Sequence, residues 1–165
     1  VFDALFPSGA ALARPFISGE GTPSISYAAA SAGSAQFACA LAALGIRPGD
    51  RIAVQVEKSA EAVLLYLAAL RTGAVYLPLN TAYTGAEVEY FLGDAEPALL
   101  VCTPERRAEL APMAARLGVR STETLGSGGE GTLPALAASQ PARFDNAARA
   151  ESDLAAILYT SGTTG

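Results

Sequence analysis

Apolar positions follow two different periods along this chain. Continuous runs at Ile52-Ala53-Val54-Gln55-Val56, Val75-Tyr76-Leu77, Ala98-Leu99-Leu100-Val101-Cys102 and Leu154-Ala155-Ala156-Ile157-Leu158-Tyr159 read as strands buried in a core. Between them apolar residues recur every three or four positions, the period of a helix face. An alanine-rich helix is predicted from Ser26, its N-cap, to about Leu44, where Gly45 ends it. Ser59 caps a second helix with Val63, Leu67 and Leu70 as its inner face, closed by Gly73. Thr84 and Glu87 form a capping box ahead of Val88, Phe91, Leu92 and Ala95. Thr103-Pro104 starts a fourth helix, lined by Leu110, Met113, Ala114 and Leu117 and ended by Gly118, with Pro112 a disturbance inside it.

Shorter features complete the pattern. Phe16-Ile17-Ser18 and Ser24-Ile25-Ser26 around a Gly/Pro turn predict a small β-hairpin. Ser121 to Leu125 is an edge strand, Thr132 to Ser139 a short helix, and Gln140 to Glu151 a polar connector. Strands alternating with helices imply an α/β fold, a mostly parallel sheet with helices on both faces, preceded by the hairpin. Residues 1–165 are expected to be a single incomplete domain, the front portion of a larger enzyme.

Composition narrows the function. A formal net charge of −5 argues against a nucleic-acid partner, because neutralising phosphates needs a basic surface. The chain has no histidine, which removes Ser–His–Asp and Cys–His nucleophile systems and His-ligated zinc within it. Cys39 and Cys102 fall in a helix and a strand far apart in sequence, so core packing and a reducing, cytoplasmic setting are expected. No apolar stretch reaches the ~18–20 residues of a membrane span. Lys58 precedes a predicted helix and reads as a solvated charge. Glu87 and Glu89 point apart at their spacing and do not form a paired-acid site. Glu105, Arg106, Arg107 and Glu109 read as a mixed-charge outer face with local ion pairs.

The chemistry concentrates at the last residues, Tyr159-Thr160-Ser161-Gly162-Thr163-Thr164-Gly165. A strand that opens into glycines and hydroxyl residues suits a loop that grips phosphate. Glycine lets successive N–H groups converge on one anion, and the hydroxyls add donors. The segment is neither a P-loop, G-x-x-x-x-G-K-[ST], nor a Rossmann G-x-G-x-x-G. Gly126 to Gly131 is glycine-rich too, but it follows a weak strand and precedes no strong helix, so it reads as a surface loop. Outside the terminal loop, Tyr83, beside Asn80 after a strand, is the candidate for contacting substrate.

Tyr159 to Gly165 resembles the nucleotide-binding signature of the adenylate-forming superfamily, which includes acyl-CoA synthetases, luciferases and peptide-synthetase adenylation domains. Ser26-Tyr27-Ala28 and Asp94-Ala95-Glu96-Pro97 are similar to that superfamily as well. Val75-Tyr76-Leu77-Pro78-Leu79-Asn80-Thr81-Ala82-Tyr83-Thr84 resembles a segment of malonyl-CoA and methylmalonyl-CoA synthetases. The resemblance implies an ATP-dependent, AMP-forming ligase that activates a short dicarboxylate and passes it to coenzyme A. It implies that Thr160, Ser161, Gly162, Thr163, Thr164 and Gly165 embrace the β- and γ-phosphates of ATP, with Thr163 near the Mg2+ that accompanies the nucleotide. No catalytic residue lies within this chain, since the family's catalytic lysine, Mg2+-binding glutamate and ribose-binding aspartate come later. Another adenylate-forming enzyme, or a non-catalytic binding module of the same fold, are the alternatives.

Overall fold

The computed structural model describes residues 2–7, 9–19 and 22–160. A single helical turn, α1 (Phe2–Leu5), and a 3-10 turn (Gly9–Ala13) lead into an antiparallel hairpin of β1 (Pro15–Gly19) and β2 (Thr22–Ser26). Ser26 leaves the hairpin in extended conformation, and its hydroxyl accepts from the Ala29 N–H, capping α2 (Tyr27–Ala43). A strand β3 (Arg51–Gln55), helix α3 (Ala60–Thr72), strand β4 (Val75–Pro78), helix α4 (Gly85–Ala95) and strand β5 (Leu99–Cys102) follow. After a 3-10 turn (Pro104–Arg106) come α5 (Arg107–Arg116), β6 (Ser121–Thr124) and α6 (Thr132–Ala138). The expected hairpin, parallel sheet and order of elements through α6 are present, but the run Leu154 to Tyr159 forms an isolated bridge and not a full strand.

Among the described residues, β3 to β6 form one parallel sheet in the spatial order β4-β3-β5-β6. The faces of β3 and β5 divide by alternate residues. Ile52, Val54, Leu99 and Val101 pack with α2, α3 and α6, whereas Ala53, Leu100 and Cys102 pack with α4 and α5. Helices cover both faces, which is why β5 is apolar at every position and fully buried. The alanines of α2 have a packing role: Ala30, Ala35, Ala38 and Ala40 are all buried, and Gly33 lies where an added Cβ would come within 2.9 Å of Leu64 Cδ1. Small residues let α2 and α3 approach closely.

Four details differ from the sequence expectation. The buried residues of α3 are Leu64, Leu65, Leu67, Ala68, Ala69, Arg71 and Thr72, so Leu67 is internal as expected while Val63 is exposed. That helix is covered on two sides, so apolar residues surround most of it and their spacing does not single out one face. Thr103 precedes its proline but makes no side-chain cap; the first turn is 3-10, and Pro112 sits in the second turn of α5 without ending the helix. The third concerns Arg106, described below. The fourth is the closing apolar run. It is joined to β4 by one parallel bridge, Tyr76 to Ala156, and Leu154 and Leu158 are exposed rather than buried.

The polar connector is held in place by backbone groups. Arg71, buried in α3, donates to the carbonyls of Ser31 (2.9 Å) and Phe144 (3.3 Å) and to Ser34 Oγ (3.1 Å), and its guanidinium lies 4.3 Å from the centre of the Phe2 ring. The Ala147 N–H donates to the Arg71 carbonyl, and Cys39 Sγ contacts the Arg143 carbonyl. The connector thereby crosses α2 and α3 and returns the chain to the outer side of β4. Among the described residues no helix is long and apolar enough to cross a membrane.

Candidate functional site

The order β4-β3-β5-β6 reverses direction between β3 and β5. The connection from β3 runs to one side and that from β5 to the other, opening a crevice beyond the carboxyl ends of these strands. Here the crevice is filled by protein. Gln55, the last residue of β3, is buried, and its Nε2 donates to the carbonyls of Asn80 (2.8 Å) and Tyr83 (3.3 Å). Arg106 turns inward rather than lying on an outer face. Its Nη1 donates to Gln55 Oε1 (2.7 Å) and to the Tyr83 carbonyl (2.8 Å), while its other nitrogens grip Glu109. The loop after β4 is therefore tied to the ends of β3 and β5 through three elements.

This network was not legible in the charge pattern, because Arg106 sits in a run of charges that looks solvated. A glutamine directly after the apolar run Ile52-Ala53-Val54 is the available signal, since a buried amide needs partners. Tyr83 itself is half-buried. Its ring lies against Phe91 of α4, centroids 4.9 Å apart, so in this structure its visible work is packing and lending its carbonyl to Gln55 and Arg106.

Beside this plug an open groove of about 620 Å³ runs between the ends of β3 and β4, lined by Val56, Glu57, Lys58, Tyr76, Pro78 and Asn80 among others. Lys58 is exposed at its rim, as its solvated reading requires. Burial, and secondarily Tyr66, push the Tyr76 hydroxyl up to about 12, so it stays protonated at neutral pH. Cys102 is fully buried and its thiol is pushed up to about 11 by burial, which leaves it an inert core residue.

The segment leading to the terminal loop enters from the far side of β4. Tyr76 N–H donates to the Ala155 carbonyl and the Ile157 N–H donates to the Tyr76 carbonyl, each at 3.0 Å, and the pairing is parallel. Parallel pairing sends this segment out at the same carboxyl edge as the groove and the Gln55–Arg106 plug. Ile157 and Tyr159 pack toward α4, Tyr159 resting against Phe91 with centroids 4.5 Å apart. Thr160 is the last described residue and is exposed. Ser161, Gly162, Thr163, Thr164 and Gly165, the rest of the expected phosphate loop, lie outside the described residues. Among the described residues no cluster of three His, Cys, Asp or Glu side chains could hold a metal ion.

The family model for AMP-binding enzymes matches residues 6–165. The ATP-bound crystal structure of MatB from Rhodopseudomonas palustris superposes with a TM-score of 0.93 at 48% sequence identity, covering 99% of this chain and 32% of that one. Oxalate–CoA ligase of Arabidopsis thaliana is 36% identical over 124 residues, 73% of this chain and 24% of that protein. The L-proline–[L-prolyl-carrier protein] ligase of Pseudomonas fluorescens is 36% identical over 151 residues, 86% of this chain and 28% of that protein. The chain thus spans less than a third of the length of each of these relatives.

Proposed function

Since the chain belongs to the AMP-binding enzyme family, we propose that it is the first part of the large N-terminal domain of an AMP-forming acid–thiol ligase, with Thr160 to Gly165 as its grip on the β- and γ-phosphates of ATP. The observation that carries this reading is the parallel bridge from Tyr76 to Ala156, which delivers Thr160 to the carboxyl edge of the sheet. The sequence Thr-Ser-Gly-Thr-Thr-Gly begins at that point. Similarity to an ATP-bound structure at 48% identity supports the nucleotide.

The chemistry falls into two steps. A carboxylate oxygen attacks the α-phosphorus of ATP, the bond to the β-phosphate oxygen breaks, and pyrophosphate leaves an acyl-adenylate. The thiol of coenzyme A then attacks the acyl carbon, loses its proton and releases AMP. In the first step charge gathers on the departing pyrophosphate, and donors fixed around its oxygens lower that barrier. Hydroxyls and backbone N–H groups of Thr160 to Gly165 supply such donors; Mg2+ enters with ATP as part of the substrate, with Thr163 beside it. The remainder of the catalytic set belongs to later parts of the polypeptide, in a cytoplasmic enzyme.

For the acid we favour a short dicarboxylate, malonate or methylmalonate. The segment Val75 to Thr84 supports it, as does similarity to a relative named for oxalate. The similar prolyl-carrier-protein ligase supports a second reading, an amino acid passed to a carrier thiol. Tyr83 is the residue of this chain proposed nearest the acid, through the loop it anchors. ATP–pyrophosphate exchange by the full-length protein with malonate, methylmalonate, acetate and proline tests both. Exchange with the two dicarboxylates is expected. Exchange with proline alone replaces the dicarboxylate by an amino acid, and no exchange with any acid rejects the ligase. Thr163→Ala is expected to slow exchange about tenfold or more, the scale of losing one donor to a developing anion.

A further inference from the structure

The closing segment is held to the sheet by the two backbone hydrogen bonds on either side of Ala156, and the backbone of residues 158 to 160 forms none with other described residues. Beyond that bridge, Tyr159 makes two side-chain contacts with α4. The Tyr159 ring lies 4.5 Å from Phe91 and its hydroxyl donates to the Asp94 carboxylate, both on α4. Phe91 in turn stacks on Tyr83, whose carbonyl is pinned by Gln55 and Arg106. The Tyr90 ring also meets Phe91 edge-on, with centroids 5.4 Å apart.

We propose that Asp94 and Phe91 are positioning residues for the phosphate grip: they clamp Tyr159 so that the loop starting at Thr160 begins from a fixed point and in a fixed direction. This inference rests on the reading of Thr160 to Gly165 as that grip.

The location of the clamp separates it from ordinary packing. Asp94 is exposed, so its bond to Tyr159 contributes little to global stability. What such a bond does is restrict the ring's swing about its own edge of the sheet. A phosphate-binding loop gains from that restriction, because donors displaced by as little as ~1 Å lose much of their effect on a reacting phosphate. The clamp also links the loop's base to Tyr83, so the two ligand-facing loops of this edge share one aromatic stack.

The test is steady-state ATP–pyrophosphate exchange by the full-length protein and its Asp94→Ala, Asp94→Asn and Tyr159→Phe variants, with thermal unfolding measured in parallel. Asp94→Ala and Tyr159→Phe are expected to raise KM for ATP about fivefold, the scale of one lost hydrogen bond, while KM for the acid and the melting temperature stay near the parent values. Asp94→Asn keeps an acceptor oxygen and is expected to recover most of the loss. An unchanged KM for ATP in Asp94→Ala and Tyr159→Phe overturns the clamp while leaving the ligase reading intact. So does a parallel rise in both KM values that follows a fall in melting temperature. No exchange by the parent protein overturns the ligase reading and the clamp with it.

Discussion

Gln55 and Arg106 meet at 2.7 Å across 51 positions of sequence, and between them they close the crevice where β3 and β5 part. A site that open sheets of this kind offer to ligands is here occupied by the protein's own amide and guanidinium. The open groove at this edge of the sheet lies instead beside β4.

Because the pair is largely removed from water, losing both members should cost less than the sum of losing each. Arg106→Met leaves Gln55 Oε1 without its donor and is expected to destabilise by about 2 kcal/mol in urea unfolding of the full-length protein. Gln55→Leu is expected to cost a similar amount. The double variant should lie well below the sum of the two, a coupling that a double-mutant cycle reads directly.

Gly131 reaches φ 133°, and a Cβ there would fall 2.4 Å from the Thr124 carbonyl oxygen. That oxygen belongs to the backbone of β6 and cannot step aside as a flexible side chain does. Gly131→Ala is expected to cost about 2–3 kcal/mol and to expose the β6–α6 corner to proteolysis before the rest of the domain.

The capping box at the start of α4 gives a pH signature. The Thr84 backbone N–H, and then its hydroxyl, hold the Glu87 carboxyl below its ordinary value of 4.5. A carboxyl depressed in the folded state adds stability above its unfolded pKa and loses it as pH falls through the folded one. Glu87→Gln should therefore be less stable than the parent at neutral pH, with the gap closing below about pH 4 in parallel denaturation series. A gap that does not change with pH would remove the carboxylate from the box.

Cys102 should resist alkylation. With its thiol at about 11 and no solvent access, iodoacetamide at about pH 8 is expected to leave it unmodified in the folded protein and to label it after unfolding, as peptide mass mapping would read.

The sequence carried the architecture through punctuation more than through apolar count. Ser26, Ser59 and Thr84 each cap the helix they were read to start, and Gly73 and Gly118 end theirs with positive φ. The departures at α3 and at the closing run share one cause, that a single face does not define the element. Val63 looked internal because α3 is apolar nearly all round, and Leu154 to Tyr159 looked buried because an apolar run does not say which edge of a sheet it will join. Arg106 was hidden by its charged neighbours, and the course of the polar connector by its lack of any period. Its hold on α2 and α3 comes from carbonyls, which every residue has. The Tyr159 clamp was invisible for a similar reason: Asp94 and Tyr159 are 65 positions apart, and only the fold makes them neighbours.

One practical matter follows from the single bridge at Ala156. Leu154 and Leu158 stand bare on a singly bridged segment whose outer edge has no hydrogen-bonded neighbour among the described residues, the arrangement that seeds edge-to-edge stacking between molecules. A recombinant product confined to these residues is poised to self-associate through that margin, so assays of the chemistry belong on the undivided polypeptide. If a short version is wanted for crystallography or NMR, lysines at positions 154 and 158 are the natural first modification.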